Sequence, residues 1–200
     1  MSLAAEARPQ IFSRVVALPS VGVALAAVIL VLCVPLFLAE PANLTSDESL
    51  YQAEAWNVAH GKGLTYPSGE PITHRAPLFP LILAPVVKAA GPDGAYALTK
   101  IIVAVNALLV ALVAWRCAGA LAGAVGGVAA ASSAFLSELG TTLYLDPFQC
   151  TFLLLAAAAL VEAVRGHRTR WFAAAGASVG MAFLVKESAL QWVPLGVAAW

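Results

Sequence analysis

The sequence predicts an all-α, polytopic transmembrane helical bundle with juxtamembrane helices on its outer side. Hydrophobic residues fill 61% of the 200 positions and charged residues only 11%, against about 25% charged in soluble globular chains. Mean hydropathy is +0.86. Apolar runs alternate with short polar joints, and the basic residues gather at every second joint, as cytoplasmic loops do. A net charge of zero offers no basic field for nucleic acid. Cys33, Cys117 and Cys150 fall inside or beside apolar runs, so no disulfide framework is expected.

Arg8 and Arg14 precede the first apolar run and put the N-terminus in the cytoplasm. That run, 15–39, has 25 residues, roughly 37 Å of helix, enough to cross a ~30 Å hydrocarbon core with some tilt. The apolar centre of a cleaved signal peptide would be about 7–15 residues, so a retained span is expected. Residues 40–95 form an outer loop with surface helices. Leu50–Ala59 reads as a short amphipathic helix, and Pro77–Ala90 as an apolar one interrupted by Pro80 and Pro85. The latter reaches only about 21 Å and is expected to lie on the membrane or enter it partway. Gly91-Pro92-Asp93-Gly94 is a turn.

Four further spans are expected. The first, 96–115, is closed by Arg116; the second, 121–136, carries Gly119, Gly123 and Gly127 as a close-packing face. The third, 147–164, ends at the densest basic cluster, Arg165, His167, Arg168 and Arg170. The fourth, 171–187, has Gly176 and Gly180 as another small-residue face and reaches Lys186-Glu187. Residues 188–200 are apolar but too few to cross. The 1–200 chain is therefore expected to be a single membrane module, the N-terminal part of a larger protein in the cell (inner) membrane.

Polar chemistry is concentrated between Glu40 and Arg75, which hold five acidic residues, Lys62, Arg75, His60 and His74. Asp47 and Glu48 open the first surface helix. One reading is capping, Thr45 with Glu48 three residues on and acids in a first turn; the other lets Asp47 project over the bundle as a base. Asp146-Pro147 is a favoured helix start, but it lies at the same outer end. Lys186-Glu187 reads as a self-paired couple at a helix end or as part of that pocket, and His74-Arg75 as a solvated loop end or a phosphate site. His60, His74 and the loop acids show no close metal-ligand spacing, so no cofactor is expected.

Acids and cations gathered beside a lipid-facing groove suit a lipid-phosphate substrate. A phosphate leaving group needs charge stabilisation by Arg or Lys more than it needs protonation. One carboxylate then suffices, as general base for an acceptor hydroxyl, whereas glycosidases generally use a carboxylate pair.

The pattern comprises an N-terminal span, then Asp47-Glu48 with Tyr51, Ala55, Gly61 and Gly63 following. HRAPLFP, Asp146 at the start of a later span, and GMAFLVKESAL complete it. It resembles the N-terminal half of GT-C-type membrane glycosyltransferases, the superfamily of protein O-mannosyltransferases and lipid A aminoarabinose transferases. The Asp47-Glu48 context and Phe183–Glu187 are its most specific pieces. Ala76 stands where members commonly have the first of two prolines, and His74 where some carry an acid. The resemblance implies a polyprenyl-phosphate sugar donor and inverting transfer, on the extracytoplasmic side, to a protein, lipid or glycan acceptor. It also implies Asp47 as catalytic base with Glu48 beside it, Arg75 and Lys186 at the donor phosphate, His74 next to them and Asp146 in the cavity. Two other classes compete: a lipid or lipid-linked-sugar transporter or flippase subunit, and a non-catalytic assembly subunit. A transporter would more often carry charges near mid-membrane.

Overall fold

The computed structural model describes residues 19–41, 46–73, 75–166 and 168–192. His74, His167, Thr45 and the stretches 1–18 and 193–200 lie outside the described residues. Eight α-helices and a terminal 3₁₀ turn are described: α1 Pro19–Leu32, α2 Val34–Leu38, α3 Ser46–Ala59, α4 Leu78–Ala118, α5 Ala120–Ala131, α6 Ala134–Thr141, α7 Asp146–Gly166 and α8 Thr169–Val185. By length and composition Val21–Leu38, Leu78–Ala118 and Asp146–Gly166 are able to cross a membrane, while α5 and α8 are shorter apolar helices. Leu38 and Leu121 are each 77% exposed, which suits a lipid-facing surface in a membrane protein.

Proline and glycine decide where the long helices bend. Pro35 has no N–H to donate, and the chain breaks at Cys33 between α1 and α2. The surface helix expected at Pro77–Ala90 and the span expected after it meet at Gly91, whose non-helical backbone (φ 67, ψ −163) divides α4 into two helical halves. Gly91 takes a conformation that side chains disfavour. Pro92 opens the second half at once, so the expected four-residue turn shrinks to a single residue.

The segment expected to span at 121–136 is divided between α5 and α6. Ser132 and the extended Ser133 separate them, and twelve residues of α5 reach only about 18 Å. Close approach explains its glycines. A Cβ on Gly123 would sit 2.9 Å from the Ala111 carbonyl oxygen, and one on Gly127 would overlap Ile29 and Ala111. The second small-residue face, Gly176 and Gly180, has nothing within 4 Å of an added Cβ.

Polar clamps lock α4, α7 and α8 together. Asn106 on α4 donates from Nδ2 to the Pro147 carbonyl at 2.8 Å, and Thr151 donates to Asn106 Oδ1 at 2.7 Å. Gln149 on α7 donates to the Lys186 carbonyl at 3.0 Å, holding the end of α8 to the start of α7. Buried Lys100 donates to the Ala39 carbonyl and so caps the end of α2. At the other end of α7, Arg116 Nε donates to Glu162 Oε1 at 2.6 Å, close to Arg165. The two ends of α7, 21 residues long, stand roughly 31 Å apart.

Apolar packing is thickest under α3. Tyr51, Phe79 and Phe148 form an edge-to-face chain with centroid separations of 5.1 and 4.9 Å. Leu83, Val87, Leu143 and Val185 are buried in the same cluster.

Candidate active site

Helix α3 positions the acidic groups. At 100° per residue, Asp47, Tyr51 and Glu54 fall on one stripe, offset four and seven positions from the first. Glu48, one step round the helix, belongs to a different face. It is fully buried, and its Oε1 accepts the Leu143 backbone N–H at 2.6 Å. Glu48 therefore ties α3 to the segment before α7, and it does not line the cavity described below.

The chain after α3 returns to its starting point. Asn57 Nδ2 donates to the carbonyls of Thr65 and Tyr66 at 3.1 and 3.2 Å. Thr65 pairs with Pro71 across a small antiparallel loop, with Tyr66 N–H donating to Glu70 O at 2.9 Å and Ile72 N–H to Leu64 O at 3.0 Å. This doubling back delivers Arg75 to the first turns of α3. Its guanidinium lies 3.6 Å from Asp47 Oδ1 and 5.4 Å from the centre of the Tyr51 ring. Asp47 remains 57% exposed, against 30% for Arg75, so the carboxylate faces solvent, and unlike Arg75 it does not line the cavity described below.

A second ion pair joins the start of α7 to the end of α8. Lys186 Nζ meets Asp146 Oδ1 at 2.7 Å. Sequence neighbours suggested Lys186 with Glu187, but Lys186 is extended (φ −156, ψ 126) at the end of α8. That geometry turns its side chain toward the start of α7.

Between the two pairs lies a cavity of about 180 Å³. Its polar wall is Tyr51, Glu54, Arg75, Lys186 and Glu187; Ala76, Phe79, Leu145 and Val185 supply the apolar one. Burial pushes the Tyr51 phenol above its ordinary range; Arg75 opposes this, while Asp47, Glu54 and Asp146 add to it. One hydroxyl thus feels Arg75 and three carboxylates. Glu54 is the residue the sequence reading passed over. It is 1% exposed, its Oε1 has no hydrogen-bond partner among the described residues, and burial pushes its carboxyl upward against the pull of Arg75. Its seven-residue spacing from Asp47 was the available signal. Among the described residues no three His, Cys, Asp or Glu side chains group as metal ligands.

Residues 74–199 match the family model of dolichyl-phosphate-mannose-protein mannosyltransferases. The chain belongs to this family. No curated protein and no solved structure matches it. As a member, it is a GT-C-type membrane glycosyltransferase, and its described part is helical as the sequence predicts. The matched stretch contains Arg75, Asp146 and Lys186 but begins after α3. What joins Asp47 and Glu54 to those mannosyltransferase-family residues is the fold, through the loop that returns Arg75 to α3.

Proposed function

We propose that this site transfers a sugar from a polyprenyl-phosphate-linked donor to an acceptor hydroxyl on the extracytoplasmic side, with inversion at the anomeric carbon. The observation that carries the reading is the pairing of Asp47 with Arg75, which together with Lys186 lines one cavity. Two cations on one wall suit a phosphate, because charge-assisted hydrogen bonds are strong when partly shielded from water. Each cation is held by a carboxylate. An arriving phosphate competes for Arg75 and leaves the Asp47 carboxylate free to accept a proton.

The reaction then balances simply. The acceptor oxygen attacks the anomeric carbon from the face opposite the phosphate, and its proton passes to Asp47. The bond from that carbon to the phosphate oxygen breaks, and the electron pair leaves with the lipid phosphate, whose charge Arg75 and Lys186 stabilise. Glu48, locked on Leu143, supports the position of α3, and Asp146 orients Lys186. His74, outside the described residues, adjoins Arg75 in sequence and remains a candidate for the same phosphate.

Asp47→Asn in the full chain tests this reading, with dolichyl-phosphate mannose as the probe donor. Transfer should fall by about 100-fold or more, as expected on losing a general base, while donor binding persists. Transfer near the wild-type rate would refute Asp47 as the base. The competing transporter reading predicts that lipid movement, measured in proteoliposomes, survives without any transfer.

A further inference from the structure

Glu54 is the strongest feature that this chemistry leaves unused. An isolated carboxyl buried to 99% costs folding free energy unless something compensates it. Its Oε1 finds no hydrogen-bond partner among the described residues, although the side chain lines the cavity. Buried polar atoms are nearly always satisfied, so an orphan on a side chain that lines a cavity marks where a ligand atom belongs. The site's size narrows the ligand. About 180 Å³ is below the ~300–1,000 Å³ of drug-sized pockets, which suits one saccharide ring with its phosphate at the mouth.

We propose that Glu54 is a positioning residue that recognises a ring hydroxyl of the donor's sugar; this rests on the donor reading above. A hydroxyl both donates and accepts, and a neutral carboxylic acid does the same. Burial supports that neutral form, since desolvation outweighs Arg75 at this group. Arg75 and Lys186 then hold the phosphate, Phe79 and Val185 flank the ring, and Glu54 fixes its rotation relative to Asp47. The lipid phosphate alone makes no use of Glu54, so the residue discriminates a sugar-loaded carrier from a spent one.

The test compares binding of dolichyl-phosphate mannose and of bare dolichyl phosphate to the full detergent-purified chain. Wild type, Glu54→Gln and Glu54→Met are measured, with Glu54→Ala in place of the last should thermal melting show that it misfolds. Wild type should prefer the loaded lipid. Glu54→Met should lose about tenfold affinity for the loaded lipid and none for the bare one, as expected for one hydrogen bond. Glu54→Gln, which also donates and accepts, should keep the preference. An unchanged preference in Glu54→Met would overturn the assignment, and so would equal losses for both lipids, which would mark a structural role. Loss in Glu54→Gln as large as in Glu54→Met would overturn the neutral, two-way hydrogen bond. Wild type binding neither lipid, or bare-lipid affinity unaffected by Arg75→Ala, would overturn the donor reading itself and Glu54's role with it.

Discussion

Replacing Lys186 with methionine is expected to separate folding stability from donor binding. The change keeps the length of the side chain and removes the ammonium that meets Asp146 Oδ1 at 2.7 Å. Both partners are more than a third exposed, at 38% and 44%, so the pair contributes at most about 1 kcal/mol to folding. For a chain of this size that is about 2–4 °C in melting temperature. A hydrogen bond between the same ammonium and a phosphate oxygen is worth about 1.5–3 kcal/mol, or about 10- to 150-fold in affinity. The unpaired Asp146 left behind would repel the phosphate and push the loss toward the upper figure. Arg116→Met is the control, because it breaks a comparable pair with Glu162 at the opposite end of α7. Its melting shift should be equally small, and dolichyl phosphate binding should not change. Melting and lipid titration on the same detergent preparations read both quantities. Full affinity in Lys186→Met, or equal losses in the two variants, would refute the placement of Lys186 at the phosphate.

Other expectations concern the groups around the site. Burial raises the Glu54 carboxyl in the folded protein, so the native state binds more protons than the unfolded chain between the ordinary glutamate range and the raised value. Stability is therefore lost as pH rises through that window. Glu54→Gln should melt above wild type at neutral pH, with the difference closing on acidification; a constant difference from acid to neutral pH would rule this out. Asn106→Leu removes both the bond to Pro147 O and the one from Thr151 and should cost about 1–3 kcal/mol, seen as a lower melting temperature; an unchanged melt would mean that the clamp is not formed in lipid or detergent. Gly123→Ile would drive a branched side chain into Ala111 and Trp115 and should cost about 1–3 kcal/mol or more, whereas Gly180→Ala, with nothing near it, should leave the melt within about 0.5 kcal/mol of wild type.

Much of the site was legible because charge is scarce in this chain. With 11% charged residues, each ionisable group near a helix end stands out, and alternation of the apolar runs assigns Asp47, Arg75, Asp146 and Lys186 to the same end. The structure brings them together as two ion pairs, Asp47 with Arg75 and Lys186 with Asp146. Glu54 was not legible in the same way. A glutamate in the middle of a polar surface helix ordinarily points to water, whereas tertiary packing buries Glu54. The helices were legible by hydropathy, but their breaks depended on local backbone chemistry. Gly91 divides α4 into two helical halves, and Ser132-Ser133 divides a run that hydropathy reads as continuous.

The sequence by itself determined a membrane-embedded helical protein with its charges near helix ends, because lipid demands long apolar helices and leaves charges few places to go; its motifs added the resemblance to glycosyltransferases. Tertiary structure decided what each of those groups meets. Asp47 and Glu48 are adjacent and chemically alike, yet a 100° step around α3 leaves one exposed beside Arg75 and fixes the other on Leu143. Lys186 likewise takes a partner forty positions away over its neighbour Glu187. Residue type and spacing cannot encode such choices, since they depend on which surface packs over each side chain and so on whether water, a backbone N–H or an opposite charge is left to meet it.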